Sequence, residues 1–228
     1  MLEVTLSYRR TMTRDPATFA LALTYVPPAA RPGIEALFAL DDTLGAILRT
    51  TREPLVGQMR LTWWYEALGR LDSAPAPAEP VLAALQRSVL PGGVSGLMLA
   101  TLTDGWEVLL EPDLDAAAIE RFAYGRGRRL FELAAILLAV VDARIGVVGE
   151  GWALADLAQG LSDAAIRAEA RSRAVDTLDD ALRGRWPKNA RALGAMALSA
   201  RFDVSGSPPA PGSPKRVGRL AWHRLTGY

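Results

Sequence analysis

The chain has 228 residues, of which 50% are hydrophobic, and its 26 basic and 25 acidic side chains leave a net charge of +1. This length and composition predict one substantial folded core, exclude disorder as the main state, and argue against a nucleic-acid binder that works by global charge. Cysteine is absent and histidine occurs only at His223, which excludes disulfide frameworks and thiol nucleophiles and speaks against Ser-His-Asp catalysis and multi-histidine metal sites.

Apolar residues recur at helical spacing along almost the whole chain, and alanine and leucine together supply 73 residues. The predicted helices span residues 18–25, 31–48, 53–68, 81–89, 96–110, 115–141, 151–161 or beyond, 164–182 and 187–200. Proline-rich stretches at 73–80 and 206–214 predict surface loops. Short connections and the absence of a fixed-period repeat predict an all-α protein, an antiparallel helical bundle that forms a single domain over residues 1–228.

Three features of the sequence bear on where in the cell the protein is located. The longest apolar run, Leu133 to Val141, is nine residues long and falls short of the about 20 that span a bilayer. The N-terminal residues lack the apolar centre of a signal peptide, so we expect a cytoplasmic protein. The basic tail, residues 215–228, has four cations and no acid, and we expect a packed, solvated terminal helix. Its alternative is contact with a partner or an anionic membrane, which would place the protein peripherally at the inner membrane.

The carboxylates on predicted helices are the first candidates for chemistry. Mg²⁺ binds one or two carboxylates together with phosphate oxygens, and two carboxylates three or four positions apart on a helix point into the same cavity. Asp41 and Asp42 are adjacent, so at most one of them faces a cavity squarely. A solvated edge or a local hydrogen bond is the structural alternative for this pair.

The second carboxylate group lies in the predicted helix 164–182. Asp176 shares a face with Asp179 and Asp180, and Arg183 and Arg185 follow as candidate phosphate ligands. This pattern predicts a magnesium and diphosphate site. A solvated acidic helix face followed by an ordinary arginine turn gives the same sequence.

Several segments, in matching order, resemble the squalene/phytoene synthase family. They are the Arg-Asp-Pro block at 14–16, RPGIEALFAL at 31–40, EPLVGQMRLTWWYEAL at 53–68, YGRGRRL at 124–130 and GWAL at 151–154. The segment at 53–68 is most similar to the branch that contains the mitochondrial complex I assembly factors and their bacterial relatives. The resemblance implies a shortened bundle of the isoprenoid synthase type.

The resemblance also implies a set of residues near a cavity that accepts an isoprenoid diphosphate. These are Tyr25, Arg31, Arg60, Trp64, Tyr124 and Arg128. Buried pairing between arginine and carboxylate is the alternative for the arginines. The aromatic residues at 63–65 are consecutive and point in different directions, so we expect at least one of them to pack in the core.

The departures from the family pattern decide the functional prediction. The first metal-binding aspartates of the family fall near 45–49, where this chain has no carboxylate, and Asp41 and Asp42 come about one helical turn too early. For the second motif, either Asp176 and Asp180 fill it, or its segment is deleted and residues 164–204 match a later helix. We favour the deletion.

These departures predict a catalytically degenerate, monomeric member of the family. It would need no cofactor and would bind an isoprenoid, another lipid or a membrane-protein partner, as complex I assembly factors do, and no nucleic acid. The alternative is an active head-to-head prenyl transferase in which Asp176 and Asp180 hold Mg²⁺ and arginines bind farnesyl or geranylgeranyl diphosphate.

Overall fold

The computed structural model describes residues 16–51 and 53–228, and regular structure within these ranges is helical. The helices are α1 (Pro16–Leu23), α2 (Arg31–Thr50), α3 (Pro54–Gly69), α4 (Pro80–Ser88), α5 (Gly96–Ala100), α6 (Leu102–Glu107), α7 (Ala116–Phe122), α8 (Arg129–Leu137), α9 (Arg144–Gly160), α10 (Ala164–Ala181), α11 (Arg191–Asp203) and α12 (Pro214–Thr226). Short 3-10 turns lie at Leu90–Gly92, Val108–Leu110 and Lys188–Ala190. The all-α prediction is confirmed.

Prolines set the starts of several helices. Proline stands in the first turn of α2, α3, α4 and α12, where the missing amide hydrogen costs nothing and the ring angle suits a helix. The predicted loops at 73–80 and 206–214 are largely confirmed, except that Pro80 and Pro214 already belong to the helices that follow. The residues of the 14–16 block before Pro16 lie outside the described residues.

The long helices predicted at 96–110 and 115–141 are wrong, because both are interrupted. The first divides into α5, α6 and the turn Val108–Leu110, and the second contains a π-helical segment, Ala123–Arg128, between α7 and α8. This π segment packs between α6 and α9. In this segment the backbone hydrogen bonds change from the α-helical to the π-helical spacing, where the chain makes close contacts with two other helices. Contacts between helices leave no signal in the apolar spacing of the sequence.

Helix α9 lies at the centre of the bundle. It packs against α8, α10, α11 and the π segment, and begins seven residues before the predicted start at Gly151. Small residues permit this position: a Cβ on Gly149 would lie 2.3 Å from the carbonyl oxygen of Gly127, and one on Gly151 would lie 2.7 Å from Leu178 Cγ. Gly149 therefore permits a close approach to the backbone at Gly127, and Gly151 leaves room for the Leu178 side chain.

The terminal helix α12 packs against α11 through Arg216, Leu220 and His223, which are buried. The predicted packed terminal helix is confirmed. Arg216 donates to the carbonyl oxygen of Ser199 at 3.1 Å and to the Asp203 carboxylate at 2.7 Å. At the C-terminal end of α12, Arg191 donates to the carbonyl oxygens of the last helical turn. The inner face of α12 is thus held by a polar network as well as by apolar contacts.

His223 makes this packing sensitive to pH. Burial lowers the pKa of His223 to about 4, while its Nδ1 contacts the Tyr228 main-chain oxygen at 3.2 Å. A lowered pKa in the folded state means that the unfolded chain binds the extra proton first. Stability is therefore lost as the pH falls below the ordinary value of 6.5, and the loss is complete near pH 4.

We expect the free energy of unfolding to fall by about 2 kcal/mol between pH 7.5 and pH 5 from this residue. Urea unfolding at the two pH values measures the fall, and a His223→Gln variant should lack that share of it. Because His223 is the single histidine, its Cε1 proton resonance reports the protonation state directly. A titration midpoint near 6.5 in the native protein would contradict the prediction.

Candidate functional site

A buried ion pair lies in the middle of the bundle, between α2 and the π segment. The Arg126 Nε and Nη2 atoms each lie 2.9 Å from an oxygen of the Asp41 carboxylate. Both side chains are only 3% exposed. Two parallel charge-assisted hydrogen bonds out of reach of water bind this arginine and this carboxylate tightly to each other. Both oxygens of Asp41 are therefore used in holding Arg126.

Aromatic rings enclose the guanidinium group of Arg126. Its central carbon lies 4.3 Å from the Trp106 ring centroid and 4.6 Å from that of Trp152. Trp106 also donates from Nε1 to Asp41 at 3.2 Å. Cation–π contact and hydrogen bonding together compensate the cost of burying the charges. The Arg126–Asp41 pair is consequently enclosed by side chains.

A second carboxylate completes the cluster. Arg126 Nη1 donates to the Asp156 carboxylate of α9 at 2.5 Å, and Asp156 reaches toward solvent. Sequence reasoning missed Arg126, Asp156 and their aromatic neighbours as a group. The available signal was the Gly-Arg-Gly tripeptide. Gly125 contacts Gly105 and Gly127 contacts Gly149, which leaves Arg126 directed into the core.

The acidic residues of α10 do not converge. Asp176 is exposed at the edge of a groove, and Asp180 is 76% exposed beside Arg183. Asp179 accepts two hydrogen bonds from Arg201, at 2.6 and 2.9 Å, and this arginine holds the pKa of Asp179 below its usual value. Asp42, next to the buried Asp41, is exposed on α2.

The positions of these carboxylates decide whether they can hold Mg²⁺, which the family resemblance implies for an active enzyme. The part of the chain that the structure describes contains no group of three or more His, Asp or Glu side chains able to hold a metal ion. Asp41 is occupied by a cation of the protein itself, and Asp179 is bound by Arg201. Asp41 and Asp179 are therefore already neutralised by arginines of the protein.

One groove, which we call the Leu55 groove, has a volume of about 850 Å³. Its apolar part is formed by Pro54, Leu55, Val108 and Leu110, and its acidic rim by Asp104, Glu107, Glu111 and Glu120. Arg129, Arg121 and Arg173 pair with three of these acids, and Gln58 donates to Glu107 at 2.9 Å. The groove thus offers an apolar surface, while its cations are already paired.

A smaller groove of about 510 Å³, the Asp176 groove, lies on the other side of Tyr124. It contains Tyr124, Arg173 and Asp176, and Glu120 borders both grooves. Of the residues that the resemblance places near a cavity, only Tyr124 lines these grooves. The structure brings Tyr124 and Asp176 together, and leaves Asp180 apart from them.

The remaining cavity candidates lie elsewhere. Arg60 donates to the hydroxyl groups of Thr50 and Thr51, both at 3.1 Å, and Arg128 pairs with Glu150 at 2.6 Å. The pairing of arginine with carboxylate, proposed from the sequence as the alternative, is thus observed at Arg128. Arg31 is half-buried at the start of α2.

The aromatic candidates divide between core and surface. Trp64 is buried in the core, whereas Trp63 and Tyr65 are exposed, so the prediction that one of the three packs in the core is confirmed. Tyr25 is half-buried beneath the Arg224 guanidinium, 5.0 Å from its ring centroid, and burial raises the pKa of Tyr25.

Comparison with known families identifies the bundle. The family model described as squalene/phytoene synthase matches residues 12–161. The chain belongs to the squalene/phytoene synthase family. Its all-helical structure is consistent with the isoprenoid synthase fold. Neither a curated protein nor a solved structure gives a significant match.

The range that the family model matches contains some of the candidate site residues and not others. It includes Asp41, Arg126 and Asp156, and it ends at residue 161, before α10 begins. Asp176 and Asp180 therefore lie outside the matched range. None of the described helices is both long and apolar enough to cross a bilayer.

Proposed function

We propose that this protein is a non-catalytic member of the squalene/phytoene synthase family, which binds an apolar ligand and does not condense isoprenoid diphosphates. The observation that carries the proposal is the buried Arg126–Asp41 ion pair enclosed by Trp106 and Trp152. It uses both oxygens of Asp41, one of the two adjacent carboxylates that precede the position of the first aspartate motif that the resemblance implies.

Ionisation of an isoprenoid diphosphate needs cations that stabilise the leaving diphosphate, and carboxylates free to hold those cations. Asp41 is bound to Arg126, and the guanidinium would repel a second cation at the same place. On α10, Asp179 is bound by Arg201 and Asp180 faces solvent. This distribution of charge supports the loss of metal-dependent chemistry.

The Leu55 groove supports binding of a ligand that has no diphosphate. Its apolar part suits a prenyl chain or an apolar side-chain segment. Its two lining arginines, Arg121 and Arg129, are paired with Glu111 and Asp104, so neither is free to bind a diphosphate. An isoprenoid lipid without phosphate and an apolar segment of a membrane protein share this chemistry. The assembly of respiratory complex I, which the resemblance implies, would use the second of these ligands.

Catalysis is tested by measuring diphosphate release from farnesyl and geranylgeranyl diphosphate in the presence of Mg²⁺. We expect no release above the protein-free background, under conditions in which an active synthase turns over the same substrates. Release at enzymatic rates would overturn the proposal. Loss of that release in Asp176→Ala, with retention in Asp42→Ala, would establish the alternative of an active prenyl transferase.

The same samples test the ligand of the groove. We expect farnesol to raise the unfolding temperature and farnesyl diphosphate to leave it unchanged. Leu55→Ser should remove the effect of farnesol, while Leu97→Ser, which changes an exposed leucine of α5 outside the groove, should preserve it. Stabilisation by the diphosphate but not by the alcohol would contradict the assignment of the groove.

A further inference from the structure

The nearly neutral total charge conceals a separation of charge along the chain. Residues 181–228 contain nine Lys or Arg residues and one acid, Asp203, whereas residues 1–180 contain 17 Lys or Arg and 24 acids. Asp203 is itself paired with the buried Arg216. The C-terminal part of the chain is therefore strongly cationic, and it includes α12.

The inner and outer faces of α12 differ in character. The inner face is fixed to α11 by Arg216, Leu220 and His223, as described above. The outer face consists of Gly218, Ala221, Trp222 and Leu225, which stand at positions i, i+3, i+4 and i+7 and are all exposed. Trp222 is 57% exposed and Leu225 is 76% exposed. Because the inner face already occupies the core, the outer apolar strip has no core to enter.

Cations border the outer apolar strip on both sides. At 100° per residue, Lys215 and Arg219 lie along one edge and Arg224 lies along the other. Within the described residues none of these three forms a salt bridge with an Asp or Glu side chain. Arg185 adds charge at the end of the helix, where its Nε donates to the Thr226 carbonyl oxygen at 3.0 Å.

We propose that the outer face of α12 is a membrane-binding surface that lies in the interface of an anionic bilayer. Trp222 and Leu225 would enter the boundary between headgroups and acyl chains, and the flanking cations would contact anionic headgroups. Tryptophan is favoured at this depth because its ring is amphipathic. This surface is separate from the Leu55 groove on α3, so the inference does not depend on the proposed ligand.

A nucleic acid is the other extended anion that the positive charge would attract. Phosphate contacts come from basic side chains at the centre of the contact surface, and nucleic-acid interfaces are strongly positive there. On α12 the centre of the exposed face is apolar, and the cations lie at its edges. This arrangement favours a lipid surface over a nucleic acid.

Vesicle flotation with the full-length protein tests the proposal. We expect binding to vesicles of phosphatidylcholine with phosphatidylglycerol, much weaker binding to phosphatidylcholine alone, and loss of binding as ionic strength rises. The double variant Trp222→Ser with Leu225→Ser should bind at least about tenfold more weakly, because two apolar side chains no longer leave water. Circular dichroism melting verifies that the variant remains folded.

The matched control is Leu97→Ser with Met98→Ser, which removes two apolar side chains of α5 that are 58% and 36% exposed and do not line the Leu55 groove. We expect this control to bind vesicles as the unchanged protein does. Absence of binding to anionic vesicles would overturn the proposal. So would weakened binding in the α5 control alone, or charge-dependent binding to duplex DNA that competes with vesicles and does not require Trp222 and Leu225.

Discussion

Replacement of Asp41 by alanine should lower the free energy of unfolding by about 3–5 kcal/mol, the largest effect we expect from a single side chain. The substitution removes one carboxylate from the buried Arg126 guanidinium, which keeps its pairing with Asp156, and it removes the acceptor of the Trp106 indole N–H. A buried charge with fewer hydrogen-bond partners and an unsatisfied donor are both costly in an environment without water. Equilibrium urea unfolding measures the change.

Two further variants separate the ion pair from a general effect on α2. Asp42→Ala alters the adjacent, exposed aspartate and should cost less than about 1 kcal/mol. The double variant Asp41→Leu with Arg126→Met removes both charges together and should recover much of the stability lost in Asp41→Ala, since apolar replacement of a buried pair is often tolerated. Equal costs for Asp41→Ala and Asp42→Ala would contradict the buried ion pair.

Replacement of Gly127 by alanine should lower the free energy of unfolding by about 3 kcal/mol, at the upper end of the usual cost of overpacking. A Cβ on Gly127 would lie 2.2 Å from the carbonyl oxygen of Gly149 and 2.7 Å from Ala153 Cβ. The first of these atoms belongs to the backbone of α9, so neither helix can relieve the clash by rotating a side chain. Thermal and urea unfolding give the measurement.

Gly218→Ala is the matched control, because Gly218 is also helical and a Cβ there meets no atom within 4 Å. Alanine is the better helix former, so this variant should be unchanged or more stable by about 0.5–1 kcal/mol. If Gly127→Ala proved as stable as Gly218→Ala, the close contact between α9 and the π segment would be wrong.

The Asp41→Ala and Gly127→Ala variants both test the packing of the π segment against its neighbouring helices. The contacts of Gly127 with α9 and of Gly125 with α6 hold the π segment, and the π segment directs Arg126 toward Asp41. Loss of the glycine contact would therefore also disturb the ion pair. Non-additive stability changes in the double variant Gly127→Ala with Asp41→Ala would measure this coupling.

The boundaries of helices that begin at proline were predictable from the sequence. Those of α2, α3 and α4 agree closely with the apolar pattern and with proline in the first turn. The interruptions at Ala123–Arg128 and after Ala100 were not predictable in this way. Apolar residues recur at helical spacing on both sides of each interruption, so apolar spacing alone does not mark where the helix is broken.

The candidate site was also only partly predictable from the sequence. Asp41 was a candidate because it is a carboxylate on a predicted helix, about one turn before the first aspartate motif of the family. Its partner Arg126 lies 85 residues away along the chain. No local pattern pairs a given arginine with a given aspartate when the chain contains 26 Lys or Arg and 25 acids. The buried pair therefore emerged only from the packing of α2 against the π segment.

By itself the sequence determined the all-helical class, the family, and the chemistries that this chain lacks, because composition, apolar periodicity and local motifs are properties of the chain alone. It also contained the cationic C-terminal region, although the total charge concealed it. The tertiary structure decided that Asp41 neutralises Arg126 and that Trp222 and Leu225 face outward. Such outcomes depend on which surfaces meet, and burial is a property of the packed molecule.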